Sequence, residues 1–314
     1  MPKGYLNIAM VQIASFSKKK NPYERVLENY SKMEEYIDLI TYANPAVNMI
    51  VFPEFYLSGS VRSKEDRLKF AEEIPGRLTD MLTQKAKEKN IWLVPGTIIE
   101  KHENEETLPY NTAILISPEG EIKLSYRKVF IPYPLELSTP GKEFPVYEIP
   151  DVGKIGLLIC ADHHFPEAAR NLAMNGAEVI IKPTLQGYWI GGRRNHAPFA
   201  MARAVENQCF FVSVNQPSPT AMGDSAAYDP EGRELEHLDS TEAWTVVNIN
   251  LDETRRVREM GFAGMFGFLK MLKETKETGA GVDYCYERGL ENSPVYDSIK
   301  YPNPKTPNEI KKLW

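Results

Sequence analysis

The feature that most restricts how this chain folds is an order of elements that occurs twice. In the first half, a strand pattern over residues 8–13 leads to a helix opened by Asn21 and Pro22, whose Val26, Leu27, Tyr30, Met33, Ile37 and Ile40 fall on one face. An apolar strand over 48–52 then stops at Pro53, followed by a helix over 78–89 and a strand over 91–94. A hairpin climbs through 113–116, turns on Pro118-Glu119-Gly120 and returns toward Lys128. The second half repeats this order: strand 154–159, helix 166–175, strand 178–181 before Pro183, helix 198–207, strand 209–215, and a hairpin turning on Pro230-Glu231-Gly232. Strands this apolar must be covered on both faces. Two such sets predict an α/β protein, a four-layer α-β-β-α sandwich built from two similar halves.

The repeat ends near residue 252, which predicts one domain over 1–252 and a C-terminal extension over 253–314. Within that extension, residues 260–272 carry Met265, Phe266, Phe268, Leu269, Met271 and Leu272 on most faces, the pattern expected of a buried helix or a subunit contact. The run Tyr301-Pro302-Asn303-Pro304-Lys305-Thr306-Pro307 excludes regular helix and central strand, so an arm is expected there.

Charge and composition exclude several function classes. A net charge of −6 with no basic stripe argues against nucleic-acid binding. No apolar run approaches the roughly 18 residues of a membrane span. The first residues lack the apolar stretch and small-residue cleavage site of a signal peptide, so the mature chain is expected to start at Met1. Cys160, Cys209 and Cys285 are too few and too irregularly spaced for a disulfide framework or a paired zinc site, and a reducing, cytoplasmic setting is expected.

Three residues stand where chemistry is usually placed. Glu54 emerges at the end of the apolar run Met49-Ile50-Val51-Phe52-Pro53, although a solvated carboxylate also fits that position. Cys160 ends the strand Ile155-Gly156-Leu157-Leu158-Ile159, at a strand-to-helix turn where backbone N–H groups stabilise a thiolate and an oxyanion. Taken alone it fits a small core hydrophobe equally well, as Cys209 does within Gln208-Cys209-Phe210-Phe211-Val212. Lys128 closes the first hairpin, either as an edge-blunting lysine or as an ammonium beside the nucleophile. His163 and His164 next to Cys160 and Asp162 raise metal binding or a Cys-His pair. Adjacent histidines point apart, no second ligand cluster exists, and a papain-like pair would have to draw on the distant His196 or His237. No metal is expected.

Together these sites resemble the nitrilase, or carbon-nitrogen hydrolase, superfamily, whose members carry Glu, Lys and Cys in this order. The likeness rests on VFPEF around Glu54, SYRKVF around Lys128, GLLICADHHFPE around Cys160, and the GAEVIIKPT and AMARAVENQCFFVSVNQ stretches, and covers residues 5 to about 252. The chain looks most like the aliphatic amidase and formamidase branch, with a second glutamate, Glu136, eight residues beyond Lys128 and Cys160 thirty-two beyond it. The Gln186-Gly187-Tyr188 stretch is similar too. Phe55 stands where those amidases usually have Tyr, and Pro132-Tyr133 where Trp or Tyr precedes the proline-glutamate stretch. Ala161 follows the cysteine where true nitrilases carry tryptophan, and His163-His164 half imitates the basic pair of carbamoylases.

The resemblance implies a two-step acyl transfer on a small-molecule amide. Cys160 is the nucleophile, Glu54 the general acid and base, and Lys128 with the Ala161 N–H the oxyanion holder. Glu136 orients substrate or Lys128. Phe55, Tyr133, His163, His164, Tyr188 and Trp189 are candidate pocket residues. It implies no metal or organic cofactor and a homo-oligomer. A carbamoylase and a catalytically silent scaffold stay as alternatives at this point.

Overall fold

A computed structural model describes residues 3–187, 196–261 and 267–277. The chain forms two compact units, Met1–Thr254 and Arg255–Trp314. In chain order the first half runs β1 (Tyr5–Gln12), α1 (Pro22–Ala43), β2 (Met49–Val51), α2 (Lys64–Lys69), α3 (Arg77–Lys89), β3 (Trp92–Val94), β4 (Thr97–Glu100), β5 (Tyr110–Ile116) and β6 (Ile122–Arg127). The second half runs β7 (Val146–Ile149), β8 (Gly153–Leu157), α4 (Pro166–Met174), β9 (Val179–Pro183), α5 (His196–Asn207), β10 (Phe210–Val214), β11 (Ala226–Tyr228), β12 (Glu234–His237) and β13 (Ala243–Asn250). Helices α6 (Asp252–Met260) and α7 (Phe268–Glu277) follow.

Local chemistry sets the main elements. Asn21 caps α1, accepting the Glu24 N–H at 3.1 Å, and Pro22 occupies the first turn, where its missing N–H costs nothing. Helices α3 and α5 end alike. Asn90 and Gln208 take left-handed conformations, φ 53° and 48°, and the next residues return N–H bonds, Ile91 to the Ala86 carbonyl and Cys209 to the Ala204 carbonyl. The two Pro-Glu-Gly turns are equivalent as well, each setting its glycine against the preceding long helix, Gly120 on α3 and Gly232 on α5.

The strands form a seven-stranded and a six-stranded sheet. In the first, β1, β2 and β3 run parallel, flanked by antiparallel β13 and β5. Strands β3 and β4 lie along one edge of β5, with a bulge at Pro95-Gly96, since Leu93 faces Ile116 while Thr97 faces Ala113. The second sheet repeats the scheme, with parallel β8, β9 and β10 flanked by antiparallel β7 and β11. Strand β7 closes the second sheet beside β8, and β13, the last strand of the second half, crosses over to pair with β1 of the first.

Along the buried strands of the first sheet, side chains alternate between two cores with the strand period of two. Leu6, Ile8 and Met10 of β1, with Met49, Val51, Trp92 and Val94, enter a core shared with Leu157, Ile181 and Phe210 of the other sheet. Ala9 and Val11, with Ile50, Leu93 and Ile114, join a second core under α1 and α3. Leu172 of α4 and Ala200 and Ala204 of α5 pack on the far side of the second sheet. The expected α-β-β-α sandwich is therefore formed.

Several expectations need correction or fall outside the described residues. Residues 260–272 do not form one buried helix: α6 ends at Met260, Gly261 takes φ 67°, and α7 starts at Phe268. A glycine in the left-handed region ends a helix instead of continuing it. Met260, Phe268 and Met271 are exposed. Met265, Phe266 and the proline-rich arm lie outside the described residues.

The bulge at Gly96 bears directly on the site below, because a Cβ there would stand 2.0 Å from the Pro53 carbonyl oxygen, one residue before Glu54, and Gly96 holds φ 85°. Gly96→Ala should therefore cost about 3 kcal/mol, combining left-handed strain and overpacking, as a lowered midpoint in urea unfolding.

Candidate active site

Glu54, Lys128 and Glu136 come from three chain segments and meet as one hydrogen-bonded group. Lys128 follows β6, its N–H donating to the Asn111 carbonyl of β5 at 2.8 Å, so the hairpin register fixes where its side chain starts. Its Nζ donates to Glu54 Oε1 at 2.9 Å and to Glu136 Oε2 at 2.5 Å. All three are nearly removed from solvent, at 1%, 2% and 7% exposed for Lys128, Glu54 and Glu136. Such a buried ammonium is tolerated only with charged partners.

Further donors complete the group. Asn111 Nδ2 bridges the carboxylates, 2.9 Å from Glu54 Oε1 and 2.9 Å from Glu136 Oε1. Ser138 Oγ donates to Glu136 Oε1 at 2.8 Å and accepts from Arg67 Nη2 at 2.5 Å. The buried Arg67 guanidinium also lies over the Phe55 ring, 5.3 Å from its centroid.

Cys160 sits after β8, where a 3-10 turn, Cys160–His164, precedes α4. Its φ is 43°, a strained value for a residue with a side chain, of the kind found where a reactive group must be presented. The Leu185 peptide links it to the acidic group, with Leu185 N–H donating to Glu54 Oε2 at 2.8 Å and Leu185 O lying 3.8 Å from Cys160 Sγ. Gln216 Nε2 donates to the Glu54 carbonyl at 2.8 Å, and Asn215 Oδ1 accepts the Gln186 N–H at 3.0 Å, so Asn215 and Gln216 anchor both the Glu54 and the Leu185-Gln186 segments.

Asp162 fastens the Cys160 turn to the Lys128 hairpin. Oδ2 accepts from Tyr126 OH at 2.7 Å and Ile159 N–H at 2.9 Å, and Oδ1 accepts from Phe130 N–H at 2.9 Å. It joins the two sheets beside the site.

The electrostatics follow from burial and charge. Burial alone would lower the Lys128 ammonium, but Glu136 and Glu54 outweigh it and raise its pKa well above the usual lysine range. Burial raises Glu136, while Lys128 and Arg67 reverse this and hold it below the ordinary carboxylate value. Burial, with Glu54, pushes the Cys160 thiol up to about 11, against the pull of Lys128, Thr184 and Lys182. Burial lifts Asp162 to about 6 against the donors that hold it.

A match to the family described as carbon-nitrogen hydrolase spans residues 7–259. The chain belongs to the carbon-nitrogen hydrolases. This bears out the resemblance to the nitrilase superfamily, and the match runs past residue 252. An (R)-stereoselective amidase from a Pseudomonas species is 36% identical over 67% of this hydrolase and 76% of its own length. A formamidase from Helicobacter acinonychis (strain Sheeba) is 36% identical over 54% of this chain, and the alignment spans 51% of that relative, about half its length. Nit3 of Saccharomyces cerevisiae, a member of branch 10 of the nitrilase superfamily, shares the fold, with a TM-score of 0.72 and 24% identity over 82% of this chain and 94% of that one.

The pocket residues named from sequence separate in this hydrolase. Phe55 is buried beside Glu54, with φ 53°, and Ala161 is 9% exposed behind Cys160. His163 is buried with Nδ1 2.6 Å from the Cys160 carbonyl oxygen, which places its ring against the turn's own backbone. His164 is half-buried near Gln186, and burial, with Lys182, pushes its imidazole down to about 4, leaving it neutral. Tyr133 points to solvent, 70% exposed. Tyr188 and Trp189 lie outside the described residues. The sequence reading passed over Asn111, Ser138, Arg67 and Lys182. A lysine inside the otherwise apolar run Val179-Ile180-Ile181 was the clearest signal available.

Asp162 generates a pH prediction. Because its folded pKa of about 6 lies above the ordinary 3.8, its favourable contribution is complete below 3.8 and is lost as pH rises through 6. Asp162→Asn is neutral throughout. Unfolding free energies from urea titrations, compared from about pH 3.5 to about pH 7, should shift by about 3 kcal/mol in favour of the variant relative to the parent.

Proposed function

We propose that this carbon-nitrogen hydrolase cleaves the C–N bond of a small neutral amide through a thioester on Cys160, releasing ammonia and a carboxylic acid. The observation that carries this reading is the Leu185 peptide, whose N–H holds Glu54 at 2.8 Å while its carbonyl lies 3.8 Å from Cys160 Sγ, setting a base beside a thiol. Geometry of this kind is what nucleophile activation requires. The amidase and formamidase relatives support amide hydrolysis as the reaction class.

In the first step the Sγ proton passes to Glu54 as sulfur bonds to the amide carbonyl carbon, and the carbonyl electron pair moves onto oxygen. The Lys128 ammonium and the Ala161 N–H receive that oxyanion. Protonated Glu54 then gives its proton to the nitrogen, the C–N bond breaks and ammonia leaves. Water attacks the thioester while Glu54 takes its proton. Collapse expels the thiolate, which recovers the proton from Glu54, and the acid departs. Glu136 is the positioning residue for Lys128: by holding Nζ from the far side it fixes the ammonium in its charged form. Phe55, buried beside Glu54, is assigned to the acyl pocket.

A neutral amide fits better than an N-carbamoyl amino acid. A ureido acid's carboxylate needs a cation, whereas His163 faces the turn's backbone and His164 is held neutral. Cys160→Ala should lower ammonia release from formamide, acetamide or propionamide by at least about 10³-fold while leaving thermal unfolding intact. Undiminished turnover by this variant would sink the proposal. An N-carbamoyl amino acid outrunning all three amides would replace it with a carbamoylase, and a folded parent protein with reactive Cys160 and no ammonia from any substrate would indicate a silent scaffold.

A further inference from the structure

During the reaction proposed above, negative charge has to move from Glu54 to sulfur, and the two ends of that path are held unequally. Glu54 starts as the anion with three donors on it: Lys128 Nζ and Asn111 Nδ2 on Oε1, each at 2.9 Å, and the Leu185 N–H on Oε2 at 2.8 Å. Once the thiol proton reaches Glu54, the charge lies on Cys160 Sγ, which has the Leu185 carbonyl 3.8 Å away, an acceptor that cannot stabilise a thiolate. Lys128 stays between two carboxylates, with Glu136 Oε2 at 2.5 Å, while also acting on the thiol, where Thr184 adds a donor. A second cation on the sulfur side makes the transfer less uphill.

Lys182 stands there. It lies in β9, fully buried, in a strand otherwise built of Val179, Ile180, Ile181 and Pro183. An apolar residue would suit this place if packing were all that mattered, because burying an ammonium costs several kcal/mol. The parallel register pairs Ile181 with Leu157, and the Leu158 N–H donates to the Ile181 carbonyl at 3.0 Å, which sets Lys182 beside the chain that rises into the Cys160 turn. Downstream, the same segment supplies Thr184 and Leu185, the neighbours of the thiol and of Glu54. The charged and titratable groups acting on Lys182 are Cys160 and Asp162 from the turn, Glu54 after β2 and Lys128 after β6, and Lys182 in turn acts on His164. Burial pulls the Lys182 ammonium down to about 7, with Cys160, Glu54 and Asp162 opposing.

We propose that Lys182 is a positioning residue that acts through Cys160, adding a second positive charge to that of Lys128 in favour of the thiolate. This rests on Cys160 being the nucleophile. Nucleophile activation is thereby divided between two buried lysines on different sheets.

Alkylation of Cys160 by iodoacetamide, a neutral reagent, measures the thiolate without needing amide turnover. Peptide mass spectrometry separates Cys160 from Cys209 and Cys285. In the full chain, Lys182→Met should slow Cys160 alkylation about tenfold near neutral pH, moving its pH profile up by about one unit, and Lys182→Arg should stay within about threefold of the parent. A folded Met variant with the parent's alkylation profile overturns the inference. Should the Met variant fail to fold, Lys182→Arg decides alone: it keeps the charge, so a tenfold loss in that folded variant also overturns it, while retention of the rate together with loss of the pH step belonging to Lys182 supports it. If Cys160→Ala abolishes ammonia release and Lys182→Met alkylates normally, only this inference fails. If Cys160→Ala still releases ammonia, the thioester reading itself fails.

Discussion

The Lys128 ammonium, held between Glu54 and Glu136 out of contact with water, is the interaction on which the rest of the site depends. An isolated buried charge of this kind would be too costly to keep. Its partners come from distant parts of the chain, one after β2 and one in the loop beyond β6, and each carboxylate is itself held, Glu54 by Leu185 and Asn111 and Glu136 by Ser138 and Asn111. Removing any member leaves another buried charge or donor unmatched. The group therefore keeps its geometry by mutual satisfaction, which is the form of preorganisation that acyl transfer needs.

The same logic explains how the two sheets stay in register at the site. Sheet packing through Leu, Ile, Val and Phe is strong but weakly directional. Polar bonds across the interface add direction. Asp162 ties the Cys160 turn to the Lys128 hairpin, Gln216 reaches the Glu54 carbonyl, and Gln12 Oε1 accepts from the Ser225 N–H and hydroxyl. The crossing of β13 to the first sheet adds covalent connectivity to this registration. Cys160 after a strand of one sheet and Glu54 after a strand of the other thus meet through a single residue, Leu185.

Legibility of the fold from sequence varied with how each element is stabilised. The helix over α1, the strands buried on both faces and the paired Pro-Glu-Gly turns carry their own signals in capping, periodicity and turn chemistry, and all are present as read. Strands β4, β7 and β13 were not read. β7 is four residues long and half-buried, while β13 is defined by eight pairings with β1, from Tyr5 with Asn250 to Gln12 with Ala243, which no local pattern encodes. The split between α6 and α7 was missed because apolar content around residues 260–272 outweighed the stop signal of Gly261.

For the site, sequence alone determined which residues were candidates: Glu54 and Cys160 stand at the ends of apolar strands, and Lys128 and Glu136 follow at the spacing of a known family. Those are properties of order along one chain. Tertiary structure alone decided the rest. It bridged Glu54 and Glu136 through Asn111, turned His163 into the backbone of its own turn, left Tyr133 in solvent, and buried Lys182 in the strand next to the one that leads into Cys160. The physical reason is that charge, burial and hydrogen bonding depend on distance in space, and the groups that satisfy one another here are brought together only when two sheets close on a common core.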